Sequence, residues 1–189
     1  ILHSFSLSVA QESPANAMAS SMPMENKLFS RLSRPPRHVF TIADRAAGLK
    51  VCRAVEAVGA GSSLNAAGIG RVPCQGAPFG FVSAPGAGAA MGAPWWLALM
   101  RELQDSTALP FVHLLDCGAS PAHALLALSH GQQLAVLTGD DRQSAAARAA
   151  FAAERGHLMA HSPPSFDLIG GVEATSSLVA YIRHGYCEE

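Results

Sequence analysis

From residue 38 onward, short apolar runs alternate with helical patterns, and this alternation limits the fold more than any other feature. The runs are HVFTI (38–42), FGFVSA (79–84), FVHLLD (111–116), QLAVLTG (133–139), HLMAH (157–161) and FDLIGG (166–171). Between and after them lie ADRAAGLKVCRAVEAVG (43–59), PWWLALMRELQD (94–105), SPAHALLALSHG (120–131), DDRQSAAARAAFAAERG (140–156) and VEATSSLVAYIRHGY (172–186). Strand followed by helix, repeated about five times, predicts an α/β fold with a mainly parallel sheet and crossover helices. The strands are apolar throughout, as expected when both faces are covered. Two architectures fit: an incomplete (β/α) barrel, or an open doubly wound, Rossmann-like sheet.

Local signals mark the element ends. Asp44 reads as an N-cap and Gly59 as a stop for the first helix. Pro94 suits the first turn of the second, where Trp95, Leu99 and Leu103, with Trp96 and Met100 beside them, should face the core. Ser120, Pro121 and Gly131 read as N-cap, first helical residue and stop. The 140–156 segment reads as a solvent-facing helix, acidic at its start and with Arg155 near its end. Residues 59–78 are Gly-rich and aperiodic, which marks an insertion or a binding loop. Residues 1–23 carry no period and read as a loose lead-in, with Met24 as a natural start. Residues 24–189 then form a single α/β domain.

Composition narrows the function. The chain has 189 residues, 49% hydrophobic and 14% charged, so it holds a sizeable core and is not a disordered chain. Its formal net charge of −1 offers no basic stripe for nucleic acid. No apolar run is long enough to span a membrane. Cys52, Cys74, Cys117 and Cys187 share no CxxC spacing. They read as reduced thiols of a cytoplasmic protein, not as a zinc or redox pair.

In parallel α/β folds, sites form at the carboxyl ends of the strands. Those ends supply Thr41 and Asp44, Ser83, Asp116 and Cys117, Thr138, Asp140 and Asp141, then His161 and Ser162. The expected site takes Asp116 as its catalytic or charged centre, with Ser83, Gly86, Gly88, Cys117, Thr138 and Asp140 binding a small hydroxylated or phosphorylated ligand. Turn chemistry accounts for the same residue types, so a non-catalytic structural protein is the second reading. A dinucleotide site built on Gly86, Gly88 and Gly92 is the third. Against it, the spacing is GxGxxxG, and Pro94 falls where the helix should already be running. A nucleophilic Cys117, activated by the helix start at Ser120, is also conceivable. His123 with His130, and His157 with His161, lack a third ligand at a metal spacing. The expectation is therefore no metal and no cofactor.

Residues 38–171 resemble the first half of the class II, metal-dependent fructose- and tagatose-bisphosphate aldolases. The likeness rests on HVFTIADRAAGLKVCRAVEA, APFGFVSAPGAGAAMG and LPFVHLLDCGASPAHALLALSHGQQLAVLTG. It implies a barrel-like topology. Asp116 matches the family's catalytic acid, and Ser83 falls near a substrate-contacting serine. Cys117 stands where that family has its first metal-binding histidine, and Gly118 supplies no second ligand. The metal set is not retained, so the resemblance implies a degenerate, aldolase-like binding protein. An incomplete barrel has two open sheet edges. A second copy of the chain, as a homo-oligomer, is one way of covering them.

Overall fold

A computed structural model describes residues 36, 38–64, 79–170 and 175–184. The lead-in 1–23, Met24, residues 65–78 of the Gly-rich insertion, Cys74 and Cys187 lie outside the described residues.

Six strands form one sheet: β1 (Val39–Ile42), β2 (Phe79–Ser83), β3 (Phe111–Asp116), β4 (Leu134–Val136), β5 (His157–Met159) and β6 (Phe166–Asp167). The helices are α1 (Arg45–Leu64), α2 (Ala87–Ala90), α3 (Ala93–Ser106), α4 (Pro121–Ser129), α5 (Arg142–Ala153) and α6 (Thr175–His184). Every pairing is parallel, and the spatial order is β5-β4-β3-β2-β1-β6. The α/β fold with a parallel sheet and crossover helices is thus the fold observed.

From β1 to β5 each step goes the same way. Right-handed crossovers then carry successive helices to one face. The packing agrees. One core cluster joins the helices to Phe40, Ile42, Phe79, Phe81, Phe111 and Leu115. The other contains strand residues alone, Val39, Val82, Leu114, Leu134 and Val136, with Met159 against them. A doubly wound sheet reverses its order midway and carries helices on both faces, so this is not the doubly wound alternative.

The β5–β6 connection shows that the sheet curls. Met159 and Phe166 are separated by seven peptide steps, at most about 25 Å of extended chain. In a flat sheet the two strands would lie five spacings apart, about 24 Å. The chain must also travel back toward the level of the strand starts, because Phe166 pairs with Phe40. Seven steps suffice only if the edges approach one another, as in a barrel wall. The edges β5 and β6 are only three and two residues long, and short edge strands offer little to a pairing partner.

Aromatic rings fill the helix-covered face. Phe79 meets Phe81 edge-to-face at 5.4 Å, and Phe81 meets Phe111 at 5.0 Å, a geometry that adds to simple area burial. In α3 the fully buried ring is Trp96, while Trp95 is only partly covered. The caps form where local chemistry puts them: Asp44 accepts from Ala47 N at 2.8 Å, Ser120 from His123 N at 3.5 Å and Asp141 from Ser144 N at 2.7 Å. Gly59 does not stop α1, which runs on to Leu64. A glycine weakens a helix interior by only about 1 kcal/mol, too little to end one that is otherwise packed.

Candidate functional site

β3 lies inside the sheet, and its side chains alternate between faces. Phe111, His113 and Leu115 point toward the helices, and Val112, Leu114 and Asp116 toward the face that no described helix covers. Asp116 is 6% exposed. Its Oδ1 accepts from Gly86 N at 2.9 Å and from Gly118 N at 2.8 Å. Its own backbone N donates to Ser83 Oγ at 2.9 Å, and Ser83 Oγ donates to Ala84 O at 3.2 Å. One carboxylate oxygen therefore ties the loops after β2 and β3 together. Hydrogen bonds to a charged acceptor contribute about 1.5–3 kcal/mol each, enough to offset part of the cost of burying the charge. Oδ2 has no hydrogen-bond partner among the described residues.

The glycine loop is shaped by its own backbone and by Asp116. Gly86 has φ 71° and Gly92 φ 82°, values that favour glycine. Gly88 is there for close approach: a Cβ on it would stand 2.9 Å from Cys117 Sγ and 3.1 Å from Asp116 O. Gly86 N is engaged by Asp116, and Ala87 N by Ala84 O at 3.1 Å. A phosphate at this loop would find two of its amides taken and a carboxylate beside it. Pro94 is accommodated because α2 and α3 are separate helices, broken at Met91 and Gly92.

The remaining sequence-derived residues divide. Cys117 is buried against Gly88, and burial, with the neighbouring Asp116 charge, pushes its thiol up to about 12. That speaks for the commoner case of a buried, inert cysteine and against the thiolate that the helix start at Ser120 could favour. Thr138 is exposed, and its backbone N donates to Gly118 O at 2.9 Å, tying β4 to the same loop. Asp140, His161 and Ser162 are exposed. Thr41 is buried on the same face as Asp116, two strands away, and pairs its Oγ1 with Ser165 Oγ at 2.6 Å. The structure thus brings Ser83, Gly86, Gly88, Asp116 and Cys117 together and leaves Thr138 and Asp140 on an open rim.

Sequence reasoning passed over Ser165, which has no local signal, and a buried polar seam behind β3. There Gln132 Nε2 donates to His113 O at 3.1 Å and to Leu134 O at 2.6 Å. Trp96 lies edge-on to His113 at 6.3 Å. Burial pulls His113 down to about 4, with Gln132 the opposing influence. A groove of about 470 Å³ lies elsewhere, between α1 and α6, lined by Leu49, Lys50, Arg53, Ala54 and Val179 among others. Among the described residues no group of three or more His, Cys, Asp or Glu is placed to hold a metal, and no helix is long and apolar enough to cross a membrane. Compared with family models, with curated proteins and with solved structures, the chain matches none.

Proposed function

We propose that this chain binds a small molecule bearing hydroxyl or ammonium groups at the carboxyl end of β3, on the face that no described helix covers. The observation that carries the proposal is the asymmetry of the Asp116 carboxylate. Oδ1 is fixed by two backbone amides, while Oδ2 has no partner among the described residues. A carboxylate held in one pose with one acceptor oxygen unused is pre-organised for a donor. Thr138 and Asp140 on the adjoining rim offer further polar contacts. The aldolase-like resemblance fits this placement, with Asp116 in the position of the catalytic acid and a sugar-like ligand as the natural class. Cys117 lies buried against Gly88, where burial and the Asp116 charge push its thiol up, and the reading draws on no metal. We place the protein in a reducing compartment, such as the cytoplasm, because Cys52 and Cys117 are free and buried thiols.

A second reading has its own observation. The two amides on Oδ1 come from two different loops, so Asp116 already has a sufficient structural role as a clamp. Asp116→Asn separates the two readings, because asparagine keeps Oδ1 as an acceptor and replaces only Oδ2 with an NH₂ donor. The experiment is a thermal-shift screen of polyols, sugars, sugar phosphates, polyamines and nucleotides on both proteins. Binding predicts a hit among the hydroxylated or cationic compounds on the wild type. Saturation at about 100 times Kd gives about 2.7 kcal/mol, and the shift is lost in the variant while the unliganded midpoint holds. A screen without hits supports the clamp alone, and a hit that survives the substitution moves the site off Asp116.

A further inference from the structure

The helix layer carries an inverted helix. In α4 the buried side chains are Ala124 and Ala127, while Leu125 and Leu126 point outward at 40% and 49% exposure. A helix that only had to cover a sheet would bury its leucines and expose its small or polar residues. Ala122 is exposed on the same stripe. The adjoining α5 continues the surface. Its buried residues are Ser144, Ala147 and Phe151, and Ala145, Ala146 and Ala149 are exposed. Its mid-helix charge, Arg148, is turned onto the carbonyls of Leu137 and Gly139 at 3.0 and 2.7 Å. The outer faces of two neighbouring helices are thus apolar and uncharged along their middle turns.

The other half of the layer is built the opposite way. α1 and α3 expose Arg45, Arg53, Arg101, Glu102 and Asp105, and Arg45 pairs with Glu102 at 3.3 Å. The contrast makes the α4–α5 face a distinct surface within the layer.

We propose that a second copy of this chain packs on the outer faces of α4 and α5, as a two-fold dimer. The chemistry of the patch favours a copy of itself. Protruding leucines lie beside small alanines, so a two-fold rotation sets Leu125 and Leu126 of one protomer over Ala145, Ala146 and Ala149 of the other, and the reverse. An isologous interface needs this self-complementarity. A patch without charges also meets its copy without like-charge repulsion. The area agrees. α4 has nine residues and α5 twelve, about 14 and 18 Å of helix each about 10 Å wide, a footprint of roughly 320 Å². A standard interface buries about 800 Å² per partner, a little over half of it apolar, or roughly 450 Å². The patch therefore supplies most of the apolar core of a standard dimer, with Arg142, Gln143 and Glu154 at its rim.

The test is sedimentation equilibrium of the full chain from about 1 to 100 µM, the range of a modest dimer. The expected result is a reversible dimer, weakened at least tenfold by Leu126→Glu on α4 and equally by Ala149→Glu on α5. Ala98→Glu, on the exposed face of α3, leaves it unchanged. Far-ultraviolet circular dichroism and thermal midpoints confirm that each variant folds, and two variants on separate helices guard against one failing to fold. A monomer over the whole range overturns the proposal. So does a dimer that neither substitution weakens, which would place the contact on the sheet edges or elsewhere.

Discussion

The strand-end rim has two halves made from the same kinds of residue. At β2 and β3, Ser83, Gly86, Asp116 and Gly118 are drawn inward into one hydrogen-bonded knot, with Asp116 and Ser83 buried. At β4 and β5, Thr138, Asp140, His161 and Ser162 stand exposed. Composition does not separate the halves; strand length does. Asp116 closes a strand of six residues, whereas β4 and β5 are three residues each and stop early. The inner half is buried and tied by hydrogen bonds, so substitutions there should cost stability; the outer half is open, so substitutions there should cost little.

The largest effect should come from cutting the knot at its centre. Asp116→Ala leaves the half-buried Gly86 N and Gly118 N without their acceptor, and an orphaned amide costs up to about 1–3 kcal/mol. The expected loss is roughly 3–4 kcal/mol in urea unfolding. A loss below about 1 kcal/mol would show that water or another group takes over both amides, and the contrast between the halves would fail.

Acid sharpens the comparison from behind the knot. His113 is partly buried as a residue, but its Nδ1 is closed to solvent and unpaired. Its folded value of about 4 lies below its ordinary 6.5, so the unfolded chain binds the extra proton between those values. Stability is then full above pH 6.5 and falls as the pH drops to about 4, by up to about 3 kcal/mol. Below that range the slope from this group is flat. Asp141 acts in a lower window. Its N-cap hydrogen bonds to Ser144 hold its carboxyl below the usual 3.8, so its contribution is lost only as the pH falls past that value. Denaturant titrations from pH 7.5 to 3 on wild type and His113→Leu should show the upper slope vanish in the variant and the lower one persist.

What the sequence made legible follows from range. Strand–helix alternation and the caps at Asp44 and Ser120 depend on neighbours within four residues, so they could be read directly. The glycine loop is a different case. GxGxxxG looked like a cradle, but Gly88 is required by Cys117 from another strand, and Gly86 and Gly92 by their φ angles. Strand order was equally hidden, because one-directional and reversing crossovers share one linear pattern. In α4, PAHALLALS is apolar on every side, so no periodicity told which face would be buried. For Asp116 the location was legible, but the division of labour between its two oxygens was not.

Within the knot, Gly88→Ala should have an intermediate effect. The added methyl would press on Cys117 Sγ at 2.9 Å and on backbone atoms at 3.1 and 3.2 Å. Overpacking against backbone costs about 1–3 kcal/mol, offset by up to about 1 kcal/mol of helix preference. The net loss should be about 1–2 kcal/mol by chemical denaturation. If the variant is as stable as wild type, α2 is not seated on β3 as tightly as the contact implies.

The smallest effect belongs to the outer half, and it is the strictest check on the comparison. Thr138 meets the inner knot through its backbone N, which a side-chain substitution leaves in place. Asp140 is exposed and precedes the cap at Asp141, which supplies the helix bond itself. Removing both side chains in Thr138→Ala/Asp140→Ala therefore takes away no buried contact and no cap. Stability should stay within about 0.5 kcal/mol of wild type. The double variant should also keep the slope of the pH titration between 6.5 and 4, since His113 lies on the helix-covered face, against Trp96. Any compound that shifts the wild type through contacts to the rim should shift the double variant less, whereas one held by Asp116 alone should shift both equally. A loss of 2 kcal/mol or more, on the order of a buried contact, would show that the outer half is also part of the stabilising knot, and the two halves of the rim would then differ in exposure but not in role.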